Sequence, residues 1–356
     1  MWVLVQEDQE ASILLESQPN GTPSQVSFSD PLDKWGLMPG QTYSLGRMNS
    51  DITTTSDTSV SKSHATITVR PGRGSARPEV ILEDVGSKFG IHLNDGILAG
   101  TAALPRRSAI LSKSLKEPYS MKDNDRVRLG VAYTIFRLIW SELHVTSSMM
   151  RTRDKQSLVE MLKKIDSRLE LESQMTDTTT HLVMDRISVS SKVVRCLAKC
   201  VPIVTSEYFR DLVECLNTRQ KLPPESAYLP PVAETELQLK DQNISFCVNP
   251  ARGKVLEGKT FVFLSEEQYR DTSDLCRLAG GRAVLWSKEA DMETITASHV
   301  VIKPPASVTQ RAKSQDMVWG PIASALKDQD RVSVSQTDVF LAIVHCSTDF
   351  YCNTER

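Results

Sequence analysis

The chain has 356 residues, of which 40% are hydrophobic and 24% charged, and a formal net charge of −2. That length exceeds one comfortable core and suits two or three domains, and the composition excludes a largely disordered chain. The near-neutral balance excludes a molecule drawn as a whole to nucleic acid or to an anionic membrane, so any anion site must be local.

Residues 1 to about 140 read as strands broken by turns. Tyr43-Ser44-Leu45, Ala65 to Val69, Val80-Ile81-Leu82, Val127-Arg128-Leu129 and Tyr133 to Trp140 favour extended structure, and no helix of normal length fits there. The Pro/Gly/Ser-rich stretches Ser17 to Gly40 and Pro71 to Pro78 are expected as loops or hairpin insertions on an all-β sandwich. After Trp140 the pattern changes. Ser157 to Leu169 places Leu158, Met161, Leu162 and Ile165 on one helical face, and Lys192 to Lys199 and Glu207 to Leu216 repeat the habit. Strands alternating with such helices predict a parallel sheet flanked by helices.

Residues 223–255, with Pro223-Pro224 and Pro230-Pro231, read as a polar linker, and a second alternating block fills 256–356. The two blocks align as divergent copies, Thr180-His181-Leu182-Val183 with Ser298-His299-Val300-Val301, and each carries a large aromatic on a late helix, Tyr208-Phe209 and Trp319. The expected units are therefore 1–142, 143–222 and 256–356, joined by the 223–255 linker.

Other segments point away from secretion and catalysis. There is no apolar run of about 18 residues, and the start Met1-Trp2-Val3-Leu4-Val5 lacks the basic region of a signal peptide, so a soluble intracellular protein is expected. Seven cysteines in the second half do not form a secreted framework, and Cys196 and Cys200 lack the further ligands of a zinc site, so neither metal nor cofactor is expected. Gly253 to Thr260 fits the P-loop pattern G-x-x-x-x-G-K-[ST], but polar linker precedes it and the strand-like Phe261-Val262-Phe263-Leu264 follows, so it is read as the start of a strand. The six histidines are scattered, with His92, His144 and His345 read as strand or core residues, and no catalytic set emerges.

The informative residues lie in turns of the β region: Gly46-Arg47, Ser61-Lys62-Ser63-His64, and Ser87-Lys88-Phe89-Gly90 followed by Asn94. Brought together by a rigid sandwich, Arg47, Ser61, Lys62 and Lys88 would combine a fork, a hydroxyl and two ammonium groups, suited to a phosphate monoester of about 1.5 to 2 negative charges. Singly, each would be read as a solvated charge or a turn-capping serine.

In this order the residues resemble the motif of FHA domains, which bind phosphothreonine peptides. The resemblance implies that Arg47 and Ser61 contact phosphate, that Lys62 and Lys88 add basic contacts, and that Gly46, His64, Gly90 and Asn94 organise the loops. Phe89 and Ile91 stand where many FHA domains carry asparagine and threonine. The α/β blocks resemble BRCT repeats, through His181, His299, Gly280-Gly281 and the late aromatics Tyr208 and Trp319. That second resemblance implies a phosphate pocket made from Thr152 and Lys192.

The implied fold is thus an all-β FHA sandwich followed by two α/β BRCT repeats with parallel four-stranded sheets. This domain order resembles the family of nuclear scaffolds of double-strand-break repair, which are not enzymes. The resemblance implies partners carrying phosphorylated Ser-Asp-Thr-Asp or phosphoserine motifs. It also implies binding of a nuclease, a coiled-coil ATPase and a checkpoint kinase through segments beyond residue 356, so the chain is expected to be the amino-terminal part of a longer protein. Three rival readings stand beside this one: a structural or dimerising scaffold with a vestigial pocket, a nucleotide enzyme resting on the P-loop pattern, and a DNA-end binder, which the charge disfavours.

Overall fold

The computed structural model describes residues 1–7, 33–55, 57–74, 76–93, 115, 117–132, 134–233, 244–286, 299–304 and 312–354. They fall into two compact units: Met1–Leu143 with Glu160–Leu169 and Tyr208–Pro224, and His144–Val159 with Glu170–Glu207 and Glu225–Arg356.

The first unit is built on ten strands: β1 (Trp2–Glu7), β2 (Lys34–Leu37), β3 (Thr42–Gly46), β4 (Ile52–Thr53), β5 (Ala65–Arg70), β6 (Glu79–Asp84), β7 (Ile91–Leu93), β8 (Tyr119–Met121), β9 (Arg126–Leu129) and β10 (Thr134–Trp140). They form two five-stranded sheets, in the orders β2-β1-β10-β9-β7 and β4-β3-β5-β6-β8. Alternation decides which face is buried: along β5, Ala65, Ile67 and Val69 turn inward while Thr66 and Thr68 do not. Tyr43, Leu45, Leu82, Ile91, Leu129, Phe136 and Leu138 complete the core. Each such side chain contributes roughly 1.5–3 kcal/mol by leaving water.

Within the stretch read as loop or hairpin insertion, Lys34–Leu37 is a strand, because Trp35 and Leu37 are taken into the core and the backbone pairs with β1.

The second unit holds β11 (Val145–Ser147), β12 (Leu171–Glu172), β13 (His181–Val183) and β14 (Ile203–Val204) as a parallel sheet in the order β12-β11-β13-β14. A further parallel sheet has the order β16-β15-β17, from β15 (Thr260–Phe263), β16 (Arg282–Leu285) and β17 (His299–Ile302). Where a fourth strand is expected in this sheet, an isolated parallel bridge joins Ile302 to Val334.

The helices are α1 (Thr152–Ile165), α2 (Ser191–Ala198), α3 (Ser206–Thr218), α4 (Glu266–Leu278), α5 (Ala312–Asp328) and α6 (Gln336–His345). Helix α1 begins six residues before Leu158, the first residue of its apolar face, because polar residues fill its solvated first turn. Serines cap three of the helices: Ser190 accepts from Val193 N–H, Ser265 from Gln268 N–H, and Ser335 forms a reciprocal capping box with Asp338. Helices α2, α4 and α6 pack together, and Leu182, Val193, Leu197, Phe261, Leu275 and Ile343 belong to one continuous core. In the second block Trp319 sits against Val262, Val301, Ile322 and Leu326, the aromatic plug its position suggests.

The described part of the expected linker is packed rather than free. Ile187 bridges Val232, Phe246 is buried, and the turn Pro250–Lys254 delivers the buried Arg252. Its Nε donates to Ile343 O at 3.1 Å, Nη1 to Cys247 O at 2.7 Å and Nη2 to Val344 O at 3.3 Å, and Nη2 also donates to Ser245 O. Ile343 and Val344 lie in the last turn of α6, where Ile343 O also accepts from Cys346 N–H at 3.3 Å and the helix dipole is negative, so a cation there is favoured. Burial holds this guanidinium below its ordinary pKa, with the neighbouring thiols opposing the shift.

Replacing Arg252 by Met removes the donors that the Ser245, Cys247 and Val344 carbonyls receive from it, while Ile343 O keeps Cys346 N–H. The variant should lose about 3 kcal/mol or more in denaturant unfolding, and a loss under about 0.5 kcal/mol would show that water replaces the guanidinium.

Candidate phosphate-binding site

The loops after β3, before β5 and between β6 and β7 are drawn together by main-chain bonds. Arg47 N–H donates to Ser61 O at 3.0 Å, Met48 N–H to Lys62 O at 3.4 Å, and Val85 N–H to His64 O at 3.2 Å. Gly46 earns its place by close approach rather than by a tight turn: a Cβ there would lie 2.1 Å from Lys62 O. Any side chain would push the Ser61 loop away from Arg47.

His64 is the hub. Its ring is fully buried, Nδ1 accepts from Ser61 N–H at 3.0 Å, and Nε2 lies 3.0 Å from Gly90 O. Nδ1 as acceptor fixes the neutral tautomer with the proton on Nε2, which therefore donates to the Gly90 carbonyl. Burial lowers the His64 pKa, against the Gly90 hydrogen bond and the nearby Asp84 and Asp57 charges.

Gly90 takes φ +73°, in the left-handed region. Its N–H donates to Ser87 Oγ, and Ser87 donates to Asp84, which also accepts from Gly86 N–H. This Asp-x-Gly-Ser turn was missed by reasoning on the binding residues alone, although Asp84 two residues ahead of a glycine is a turn signal.

On this frame Arg47, half-buried, donates from Nε to Val60 O at 3.2 Å, which turns its guanidinium toward the Ser61 loop. Among the described residues neither Nη has a protein partner. Ser61 Oγ accepts from Lys88 N–H at 3.0 Å, and its own O–H remains available to donate. Lys88 thus reaches Ser61 through its main chain, and its Nζ lies 5.2 Å from the Phe89 ring centroid, a cation–π contact. Lys62 and Phe89 are exposed on the same loops, and Ile91 is buried in β7. Asn94 lies outside the described residues. The rim can offer Nη–H, O–H and ammonium donors to an anion, with no carboxylate among these groups.

Family models and curated relatives match the chain. A model of the FHA domain matches residues 43–130, and one described as the second BRCT domain on Nijmegen syndrome breakage protein matches residues 250–354. Nibrin of Gallus gallus is 29% identical over 340 residues, 93% of this chain and 42% of that protein. The chain is similar to nibrin along most of its length. Nibrin of Danio rerio is 28% identical over 89% of the chain and 36% of its own length, and that of Mus musculus 26% over 91% and 42%. The chain spans about two fifths of the length of these relatives.

The second expected pocket is differently composed. Lys192, in the first turn of α2, places Nζ 3.1 Å from Ser147 O and 3.4 Å from Thr146 Oγ1, and burial lowers its pKa. Its hydroxyl neighbour is therefore Thr146 on β11. Thr152 is the exposed first residue of α1 and makes no contact with Lys192 among the described residues. Thr146 on β11 faces the start of α2, whereas Thr152 lies in α1.

The P-loop pattern has no P-loop geometry. Gly253 and Lys254 end a short 3₁₀ turn, Gly258 takes φ +79°, and Thr260 opens β15 rather than a helix. No group of three or more His, Cys, Asp or Glu residues able to hold a metal occurs among the described residues, and no described helix is long and apolar enough to cross a membrane. Cys196, Cys276 and Cys352 are buried free thiols whose pKa values burial pushes up to about 12.

The His64 hub gives a pH signature. An unfolded histidine takes up a proton near its ordinary value of 6.5, and the buried ring resists until lower pH. The unfolded chain then binds more protons, so stability falls as pH drops below about 6.5 and continues to fall until the folded ring itself is protonated. The thermal midpoint should decline from pH 7.5 to pH 5, more steeply than in a His64→Gln variant. Parallel slopes in the two proteins would rule out His64 as the source.

Proposed function

We propose that the chain is a non-enzymatic phosphoprotein-binding scaffold of double-strand-break repair, with a phosphothreonine pocket formed by Arg47, Ser61, Lys62 and Lys88. The single observation that carries the reading is the convergence of Arg47 on the Ser61 loop with the available O–H of Ser61 beside it. Charge-assisted bonds from a guanidinium suit a dianionic monoester better than a carboxylate side chain, and threonine phosphate carries about 1.5 to 2 charges near neutrality. Gly46, His64 and Gly90 hold the loops, and Asn94 is proposed to do the same.

The partners we infer are nuclear DNA-damage proteins phosphorylated in Ser-Asp-Thr-Asp motifs. Binding of a nuclease, a coiled-coil ATPase and a checkpoint kinase belongs in this reading to sequence beyond residue 356. We place a second phosphate contact at Lys192 with Thr146 and Ser147, in place of Thr152. Direct DNA binding and membrane attachment form no part of the proposal, since a net charge of −2 offers no general phosphate attraction.

Titration calorimetry with a phosphothreonine Ser-Asp-Thr-Asp peptide and its unphosphorylated twin tests the reading. Only the phosphorylated form should bind at micromolar strength, and Arg47→Ala should weaken it by roughly 10- to 150-fold, equivalent to about 1.5–3 kcal/mol. Equal binding of both peptides would refute the pocket and favour a structural scaffold.

A further inference from the structure

The phosphate rim is tied to a residue far from it in sequence. Within the first unit, the chain leaving α3 carries Arg219 in a left-handed conformation, φ +59°. Its Nη1 lies 3.3 Å from Asp51 Oδ1, Nη2 donates to Gln41 Oε1 at 2.8 Å, and Cζ stands 5.6 Å from the Tyr43 ring centroid. Asp51 closes the loop that holds Arg47. The other oxygen of Asp51 accepts from Ser44 N–H at 2.8 Å and from Ser44 Oγ at 2.7 Å, while Asp51 N–H donates back to Ser44 Oγ at 2.9 Å.

The loop has no apolar interior of its own. Met48 and Asn49 are exposed, and Asn49 takes φ +53°. Besides the main-chain bonds of Arg47 and Met48 to the Ser61 loop, its ties are polar: Ser50 Oγ to Lys62 O, Thr53 Oγ1 to Ser50 O, and the Asp51 cluster. A planar fork stacked on an aromatic ring and shared between a carboxylate and an amide fixes one orientation, which a point charge does not.

Two facts separate this contact from mere docking. Lys221, two residues on, pairs with Asp33 at 2.6 Å and lies 5.7 Å from the Trp35 ring, so it fastens the same segment at β2, away from the phosphate loop. In addition, although burial pushes the Asp51 carboxyl up, the Ser44 bonds and Arg219 outweigh it and hold the group below its ordinary value.

We propose that Arg219 is a positioning residue for phosphopeptide binding, acting through Asp51 to hold the Arg47 loop against the Ser61 loop. The inference rests on the phosphothreonine reading above and deepens it: affinity at the FHA rim depends on the segment that follows α3.

The test compares Arg219→Ala, Arg219→Lys and Lys221→Ala in the full chain by amide hydrogen exchange without ligand and by calorimetry with the phosphothreonine peptide. Arg219→Ala should speed exchange at Ser44, Arg47 and Met48 and weaken the peptide roughly two- to fivefold, the range of a partly exposed ion pair. Arg219→Lys should fall between, and Lys221→Ala should change neither readout at the rim even if it lowers the melting temperature. A protein that binds no phosphopeptide before any substitution would sink the phosphothreonine reading, and the exchange data would still judge Arg219. Unchanged exchange at Arg47 and Met48 in Arg219→Ala, or unchanged affinity with faster exchange, would overturn the role assigned to it.

Discussion

Everything at the candidate site hangs on one buried imidazole that accepts from the Ser61 amide with one nitrogen and donates to the Gly90 carbonyl with the other. Loops are entropically costly to fix, and these three have little apolar surface with which to offset that cost. A neutral histidine in the core spends no charge and satisfies two main-chain groups on different loops at once. The result is a rim in which an arginine and a serine are already in place before a ligand arrives, which spares binding the cost of ordering them.

The second unit solves a different problem. Two parallel sheets need helices on their faces, and the helices α2, α4 and α6 meet in one continuous core instead of two separate ones. A deeply buried cation, Arg252, spans carbonyls of the preceding segment and the end of α6. A buried charge is tolerated there because four carbonyl groups with a helix end behind them replace the lost water.

Much of this was legible in the sequence, for identifiable reasons. Strands such as Ala65 to Arg70 announce themselves by alternation, and the order Gly46-Arg47, Ser61 to His64, Ser87 to Gly90 is specific because its members are meaningful only together. What escaped was set by contacts over long separations. Lys34–Leu37 is a strand because β1 pairs with it, against the composition of its surroundings. Thr146 replaced Thr152 as the neighbour of Lys192 because strand register, invisible in a residue pattern, decides which hydroxyl faces the helix start. Arg219 and Asp51 are 168 residues apart, and nothing local to either names the other.

The central claim is that the rim stabilises a phosphate dianion. Phosphorus NMR on the bound phosphothreonine peptide, followed against pH, measures this directly. Donors aimed at the dianion should depress its second ionisation well below the free value of about 6, and a bound phosphorus resonance that titrates like the free peptide would contradict the account.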